Sequence, residues 1–525
     1  MTGPLSAPTP MVSMRAGGRS KSLILTAMIF AVAMTFIDQT IVSIAVPNIQ
    51  RELSLTNTGV QWAVNAYLLT LAAFFAFGGR LADTLGHRRM VTLGVVIFAG
   101  ASAMCGLTPT GSLAQAWIVT FRALQGVGGA FMFPAALAIV VQTFPLHERG
   151  KALAAFFGVA GALTAIGPIL GGYLTQWTWR AIFWVNIPMA IVALVLIAVS
   201  KPVTDFRPAR LDYRGLVLIV GGVSLSIFGF QQASIWGWAS PGVWLSIVVG
   251  LALLVVFALV ELRTPEPLTQ VRIFRVRPFL VENIVLALCM VAFIPIFFFV
   301  SVYAQVSLGK TATQASLLIL YFFLGFVVAA QIGGRLLDRV GAKLPVVAGC
   351  ALAAVGFFIW AGKVTQLNLG NQIWVIIMTG AGMGLMLGQA NTDAVNRASR
   401  LSYGVATGIT QTVRNYAASL GLAVLGTMFV TVVRNHVTES LVAQGAPASQ
   451  ATQAAAQIAQ GSGSTVTRTI PAFIRLDYAY ATRSVFITLG AVMTAAAIVA
   501  LFGLRHGAQT ETPTSARAGA APPAS

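Results

Sequence analysis

Asp38 has more chemistry open to it than any other residue in this sequence. It stands inside an apolar run from Leu23 to Val46. Thr35, Asp38, Gln39 and Ser43 fall at offsets 0, 3, 4 and 8, so they share one face of a helix. An acid at the centre of a membrane-spanning helix costs about 2.5–3.5 kcal/mol, so such a stripe must face protein or water rather than lipid. Held away from bulk water, a carboxyl can bind and release a proton within the physiological range. The plainer reading is a buried acid satisfied by neighbouring donors. Arg122 offers a partner. It shares a face with Gln125, Gly126, Gly129 and Phe133 in a second apolar run. At a helical rise of about 1.5 Å, both Asp38 and Arg122 lie about 12 Å from the outer ends of their runs, so they can meet across a cavity. Burial would favour the neutral acid and a nearby guanidinium the carboxylate, a competition that sets a switchable protonation state. A static buried salt bridge is the alternative.

Other residues supply a scaffold for such a switch. In Gly79–Arg89, Gly79 and Gly86 permit close helix approach and a tight turn, and Asp83 can meet a helix N-terminus. Arg88 and Arg89 in the same loop face the inner surface. Gly167, Pro168, Gly171 and Gly172 combine a helix bend with small packing residues, which suits a hinge or a seal. Gln39, Gln125, Phe297, Tyr303, Met383 and Gln389 are candidates to line a substrate cavity, because aromatics and adaptable Met suit a loosely specified lipophilic ligand. Core packing is the alternative for each. Arg414, beside Gln411 and Asn415, would either pair at a seam or contact substrate. No catalytic constellation is visible, and no phosphate-binding Gly-Lys-Ser/Thr loop. The four His lack metal-ligand spacing. The sequence therefore points to no enzyme, no metal and no cofactor, with a proton gradient as the energy source.

The elements that must position these groups follow from composition. Of 525 residues, 57% are hydrophobic and only 9% charged, and mean hydropathy is +0.83. A soluble chain is roughly 25% charged, so a soluble enzyme and a disordered protein are both excluded. Fourteen apolar spans are expected, at 23–46, 60–79, 90–108, 114–136, 152–175, 181–199, 214–231, 243–262, 279–303, 315–333, 344–361, 372–392, 404–430 and 484–504. With the N-terminus inside, 23 of the 33 Lys and Arg fall in cytoplasmic segments and eight in external ones. That asymmetry supports both termini in the cytoplasm of a multi-pass plasma-membrane protein. The net charge of +19 is then explained by orientation signals and membrane lipids, with no nucleic acid as partner.

The chain also repeats itself. Gly79-Arg-Leu-Ala-Asp83-Thr-Leu-Gly86 is echoed by Gly334-Arg-Leu-Leu-Asp338-Arg-Val-Gly341, at an offset of 338 − 83 = 255. A weaker echo relates Gly126 and Gly128 to Gly382 and Gly384, at 256. The expected fold class is an all-α integral membrane protein with two six-helix bundles and two further helices inserted between them. The expected divisions are a disordered tail 1–22, an N-terminal bundle 23–200, a linker with the inserted helices 201–263, and a C-terminal bundle 264–506. The last contains an external loop 434–483, broken by Gly461-Ser-Gly463-Ser and open to an adaptor protein, and a polar tail 507–525 follows. The chain is expected to act as a monomer.

These motifs resemble the major facilitator superfamily, and within it the fourteen-helix drug:proton antiporters of the EmrB/QacA type. The resemblance covers all the spans. It rests on Ile37-Asp38-Gln-Thr40 running to Ala45-Val-Pro47, the Gly79–Arg89 loop, and Arg122-Ala-Leu-Gln125-Gly126-Val-Gly128-Gly129. Gly167-Pro168-Ile-Leu-Gly171-Gly172 and Trp179-Arg180-Ala-Ile-Phe183-Trp184-Val-Asn186-Ile-Pro188 add to it. Thr84 and His87 depart from the family's loop motif, and Ala154 and Leu163 from its stricter antiporter motif. The resemblance implies alternating access by rocking of two halves. Asp38 would exchange protons coupled through Arg122, Gly79, Asp83, Gly86 and Arg88 would stabilise the outward-open state, and Pro168 with its glycines would limit proton leak. The leading expectation is an exporter of lipophilic drugs, antibiotics or toxic metabolites in exchange for protons. Alternatives are a transporter of another substrate or direction (a siderophore, sugar or amino-acid derivative) and a non-transporting membrane sensor.

Overall fold

A computed structural model describes residues 18–144, 146–202, 212–265, 267–397, 403–459 and 470–504. Every element among them is helical: α1 Gly18–Leu53, α2 Asn57–Leu85, α3 His87–Gly106, α4 Ala114–Thr143, α5 Leu146–Trp177, α6 Ala181–Trp184, α7 Asn186–Ser200 and α8 Tyr213–Trp236. They continue as α9 Pro241–Arg263, α10 Arg277–Val302, α11 Ala312–Val340, α12 Lys343–Val364, α13 Ile373–Arg397, α14 Tyr403–Ala443, α15 Ala448–Ala459 and α16 Ala472–Gly503. Among the described residues, 13 helical segments are long and apolar enough to cross a membrane. The 32-residue α5 stands beside them between α4 and α6, in the place of the fifth expected span.

Several expected limits move. Helix α1 starts at Gly18, inside the expected tail, and runs through Pro47 to Leu53. Residues 1–17, the Gly461-Ser-Gly463-Ser break and the C-terminal tail lie outside the described residues. Much of the expected loop 434–483 is helix, because α14 continues to Ala443 and α16 begins at Ala472. Within it α15 is anchored, with Ala451, Ala455 and Ala459 buried at a spacing of one helical turn.

One half is built from α1–α7 and the other from α10–α14 with α16, and the two share their packing. In the first half α4 seats between α2 and α3, and in the second α13 seats between α11 and α12. Gly128 lies against Gly94 and Phe98, and Gly382 against Gly349 and Ala353. Gly126 meets the Tyr67 carbonyl, and Gly380 that of Phe322. Packing therefore pairs Gly126 with Gly380 and Gly128 with Gly382, an offset of 254. This corrects the pairing read from the letters, which slipped by one Gly-X step. Gly86 and Gly341 end α2 and α11 at φ of 94° and 85°, a region that favours glycine. The expected close approach falls at Gly78 rather than Gly79: a Cβ on Gly78 would strike the Ala130 carbonyl, whereas one on Gly79 would make ordinary contact with Pro134 at 3.6 Å.

Prolines inside the spans explain more of the packing. Each frees the carbonyl four residues earlier, and hydrocarbon offers no water to satisfy it. The carbonyl freed by Pro168 is that of Thr164, which accepts from Thr40 Oγ1 on α1 at 3.0 Å. Those freed by Pro134 and Pro295, on Ala130 and Val291, are met by Gly78 and Gly421 of neighbouring helices, close enough for Cα–H···O contact. The inserted α8 and α9 form a hairpin, and α8 lies against both α2 and α14.

Candidate functional site

Asp38 is wholly buried, at 0% exposure, and Arg122 is 1% exposed. The α1–α4 contact brings them together. Arg122 Nη1 donates to Asp38 Oδ2 at 2.5 Å and to Gln125 Oε1 at 2.7 Å, while Gln125 Nε2 donates to Asp38 Oδ1 at 2.8 Å. Gln125, expected to line a cavity, thus bridges the acid and the base, because the i,i+3 spacing on α4 sets it beside Arg122. Arg122 Nε donates to the Ala63 carbonyl at 3.0 Å, and its guanidinium lies 4.5 Å from the Tyr67 ring centre. A second layer holds this cluster in place. Ser102 donates to the Phe183 carbonyl at 2.8 Å and accepts from Asn186 Nδ2 at 2.9 Å, which explains Asn186 in the Val-Asn-Ile-Pro motif. Tyr67 and Ser102 were missed in the sequence, and Asn186 was read only as part of a motif. The signal at Tyr67 and Ser102 was a polar group inside an apolar run.

Nearby residues join the helices around this cluster. Gly167 and Gly171 seat α5 on Thr40 and Ile41 of α1, and Gly172 lies against Thr313 and Ser316 of α11 in the other half. Pro168 is buried between them. Trp179 and Arg180 both bond Glu52 at the end of α1, and Arg180 also reaches the Thr108 carbonyl at 3.0 Å. The expected Gly79–Arg89 loop is almost all helix, because α2 continues to Leu85 and α3 begins at His87, leaving Gly86 alone as the link; across that link Asp83 is half-exposed and sits 3.7 Å from His87. Arg88 is partly buried and Arg89 exposed. The chain preceding α14, where Asp83 was expected to meet a helix N-terminus, lies outside the described residues.

The other cavity candidates divide. Phe297 and Tyr303 are buried within the second half. Phe297 stacks on Phe323 at 5.3 Å and borders a void of about 10 Å³. Tyr303 donates to the Val364 carbonyl at 2.8 Å and accepts from Gln372 at 2.9 Å. Met383 is buried, and Gln389 donates to the Ala330 carbonyl at 3.1 Å, joining α13 to α11. Gln39 and Arg414 are partly exposed. Arg414 Nη1 donates to Gln411 Oε1 at 2.7 Å and Asn391 Oδ1 at 3.4 Å.

Described hydrogen bonds between the halves cluster on one face, that of the α1–α2 turn. Gln305 donates to the Ile44 carbonyl at 3.1 Å, Thr313 to the Gly172 carbonyl at 2.8 Å, and Gln176 to Thr313 at 2.7 Å. Ser419 bonds Asn65, and Asn57 bonds the Ala459 carbonyl of α15.

Two pseudo-symmetric six-helix halves, an inserted helical pair and a buried acid–arginine cluster define a membrane transporter. The chain belongs to the Major Facilitator Superfamily, whose family profile matches residues 28–422. It is 34% identical to the tetracenomycin C resistance and export protein of Streptomyces glaucescens, across 78% of this chain and 76% of that one. It is 32% identical to the puromycin resistance protein pur8 of Streptomyces alboniger, across 77% and 81%. Among solved structures it resembles the partially occluded inward open conformation of the Escherichia coli xylose transporter XylE, with a TM-score of 0.58, 13% identity and coverage of 93% and 99%.

Proposed function

We propose that this protein exports lipophilic small molecules across the plasma membrane in exchange for protons. Asp38 carries the proton, and Arg122, bridged to it by Gln125, couples its release to substrate and conformation. The observation that carries the reading is the buried Asp38–Arg122–Gln125 cluster, an acid and a base with little reason to be in a membrane core unless they work there. The export direction rests on the named relatives, both resistance or export proteins. The charge asymmetry of the loops supports a cytoplasmic α2–α3 face with both termini on that side. The bonds gathered at the opposite face would then seal the outside, and rocking of the halves would break them. The Gly79–Arg89 segment, where α2 passes into α3, would stabilise the outward-open state, and Thr40, capping the carbonyl freed by Pro168, would keep α5 close to α1 and limit proton leak. Asp38, Arg122 and Gln125 all come from one chain, so the cycle needs no second copy.

The test uses everted vesicles with an imposed pH gradient, challenged with puromycin, ethidium and an aromatic polyketide antibiotic. Export by antiport predicts alkalinisation of the lumen on addition of a transported compound. Uptake in intact cells, or flux indifferent to the pH gradient, would refute it.

A further inference from the structure

Arg122 in the first half and Arg414 in the second both lie well inside a helix, and their electrostatic situations differ. Arg122 has its acid: Asp38 lies at 2.5 Å, and the remaining donors reach Gln125, Ala63 and the Tyr67 ring. Arg414 on α14 has none, since no ion pair among the described residues includes it. Its partners are neutral or weak: Gln411 Oε1 at 2.7 Å, Asn391 Oδ1 at 3.4 Å and the Met290 sulfur at 3.9 Å. A guanidinium has more donors than these acceptors use, and Arg414 Nε is buried without a hydrogen-bond partner. The side chain as a whole is only partly buried, so it borders space rather than solid packing. Its contacts place it against α10 and α13, and α10 packs on α1 of the other half. An uncompensated cation in a membrane core is expensive and marks a site that something else completes.

We infer that Arg414, with Gln411 and Asn391, is the subsite for an anionic group on the substrate, so that the preferred cargo is an amphipathic carboxylate or an acidic phenolate. The inference rests on the export reading and adds a charge class to it. A carboxylate would take the guanidinium's free edge in the fork geometry that Arg suits, while Met290 and the neighbouring apolar side chains receive the hydrophobic body. Exchange of such an anion for one proton moves two positive charges inward. An uncharged cargo moves one, and a monovalent cation none.

The test uses the full-length purified protein in lipid nanodiscs, with 1-pyrenebutyrate and its uncharged amide as a matched pair. Wild type is expected to bind the carboxylate about tenfold more tightly. Arg414→Gln should remove that preference while leaving amide binding, and Arg414→Lys should keep part of it. No saturable carboxylate binding by wild type, equal affinity for the two probes, or equal loss of both in Arg414→Gln overturns the subsite. Should Arg414→Gln fail to fold, the wild-type comparison and Arg414→Lys decide. Loss of the carboxylate preference with intact pH-driven efflux of an uncharged compound refutes only the charge class. Efflux blind to the pH gradient refutes the export reading instead.

Discussion

Replacing Asp38 by Asn keeps the shape of the side chain and removes its only titration. In the folded protein Asp38 accepts from both Arg122 and Gln125. An amide can accept from Arg122 but must point its NH2 toward Gln125, whose own amide then has to flip. Arg122 thereby loses the Gln125 oxygen as well as its counter-charge. Breaking a buried pair costs about 3–5 kcal/mol. Because the Asn oxygen, the Ala63 carbonyl and the Tyr67 ring remain, the expected loss is smaller, about 1–3 kcal/mol, and the protein stays folded with a lowered Tm. The effect on transport is much larger. A potential of about 100 mV is worth about 2.3 kcal/mol for one charge, and one pH unit about 1.4 kcal/mol. Together they hold an uncharged substrate about 500-fold from equilibrium when one proton is exchanged. With no carboxyl to carry that proton, the ratio should collapse to one while substrate exchange at equal concentrations persists. The assay is accumulation of a fluorescent substrate in everted vesicles with a defined gradient, beside counterflow in the same vesicles. Adding Arg122→Gln should recover part of the stability without recovering coupling, since it removes the stranded cation. An Asp38→Asn protein that still concentrates substrate against its gradient would refute the assignment of the proton to Asp38.

Three further outcomes follow from the packing. Thr40→Val removes the bond to the Thr164 carbonyl and should cost about 1–3 kcal/mol, read as a lower Tm in thermal unfolding. In transport, the same variant should raise substrate-independent proton leak in vesicles. Gly78→Ala should severely reduce the yield of folded protein, because its Cβ meets the Ala130 backbone, whereas Gly79→Ala should be tolerated; monodisperse yield in detergent separates the two. Gln176→Cys with Thr313→Cys, at positions whose side chains bond across the halves, should cross-link under oxidation and arrest transport reversibly, since rocking must part those residues. Full activity in the cross-linked protein would dismiss opening at that face.

Much of the architecture was legible because its causes are local. Apolar runs of the right length, the loop-charge asymmetry and the 255-residue echo depend only on hydropathy and spacing, and they led to the helix order and the inserted pair. The Asp38–Arg122 pairing was legible too, since an acid and a base at similar depth in apolar helices have few other partners. The depth differs from the expectation, because α1 runs seven residues past the expected end, to Leu53, and Asp38 lies correspondingly farther from that end.

What the tertiary structure decided is which neighbour completes each polar group. Gln125 looked like a cavity residue and proved to be the bridge. Thr40 passed as part of a motif until packing set it against the Thr164 carbonyl that Pro168 frees. Gly78, not Gly79, carries the close approach, because one residue's rotation about a helix turns its Cα toward or away from a neighbour. Arg414 read as either a seam pair or a substrate contact, and packing leaves it with only neutral acceptors, where Arg122 has a carboxylate at 2.5 Å. Spacing along one helix sets which face a residue occupies. What meets that face comes from a helix far away in sequence, and only packing brings the two together.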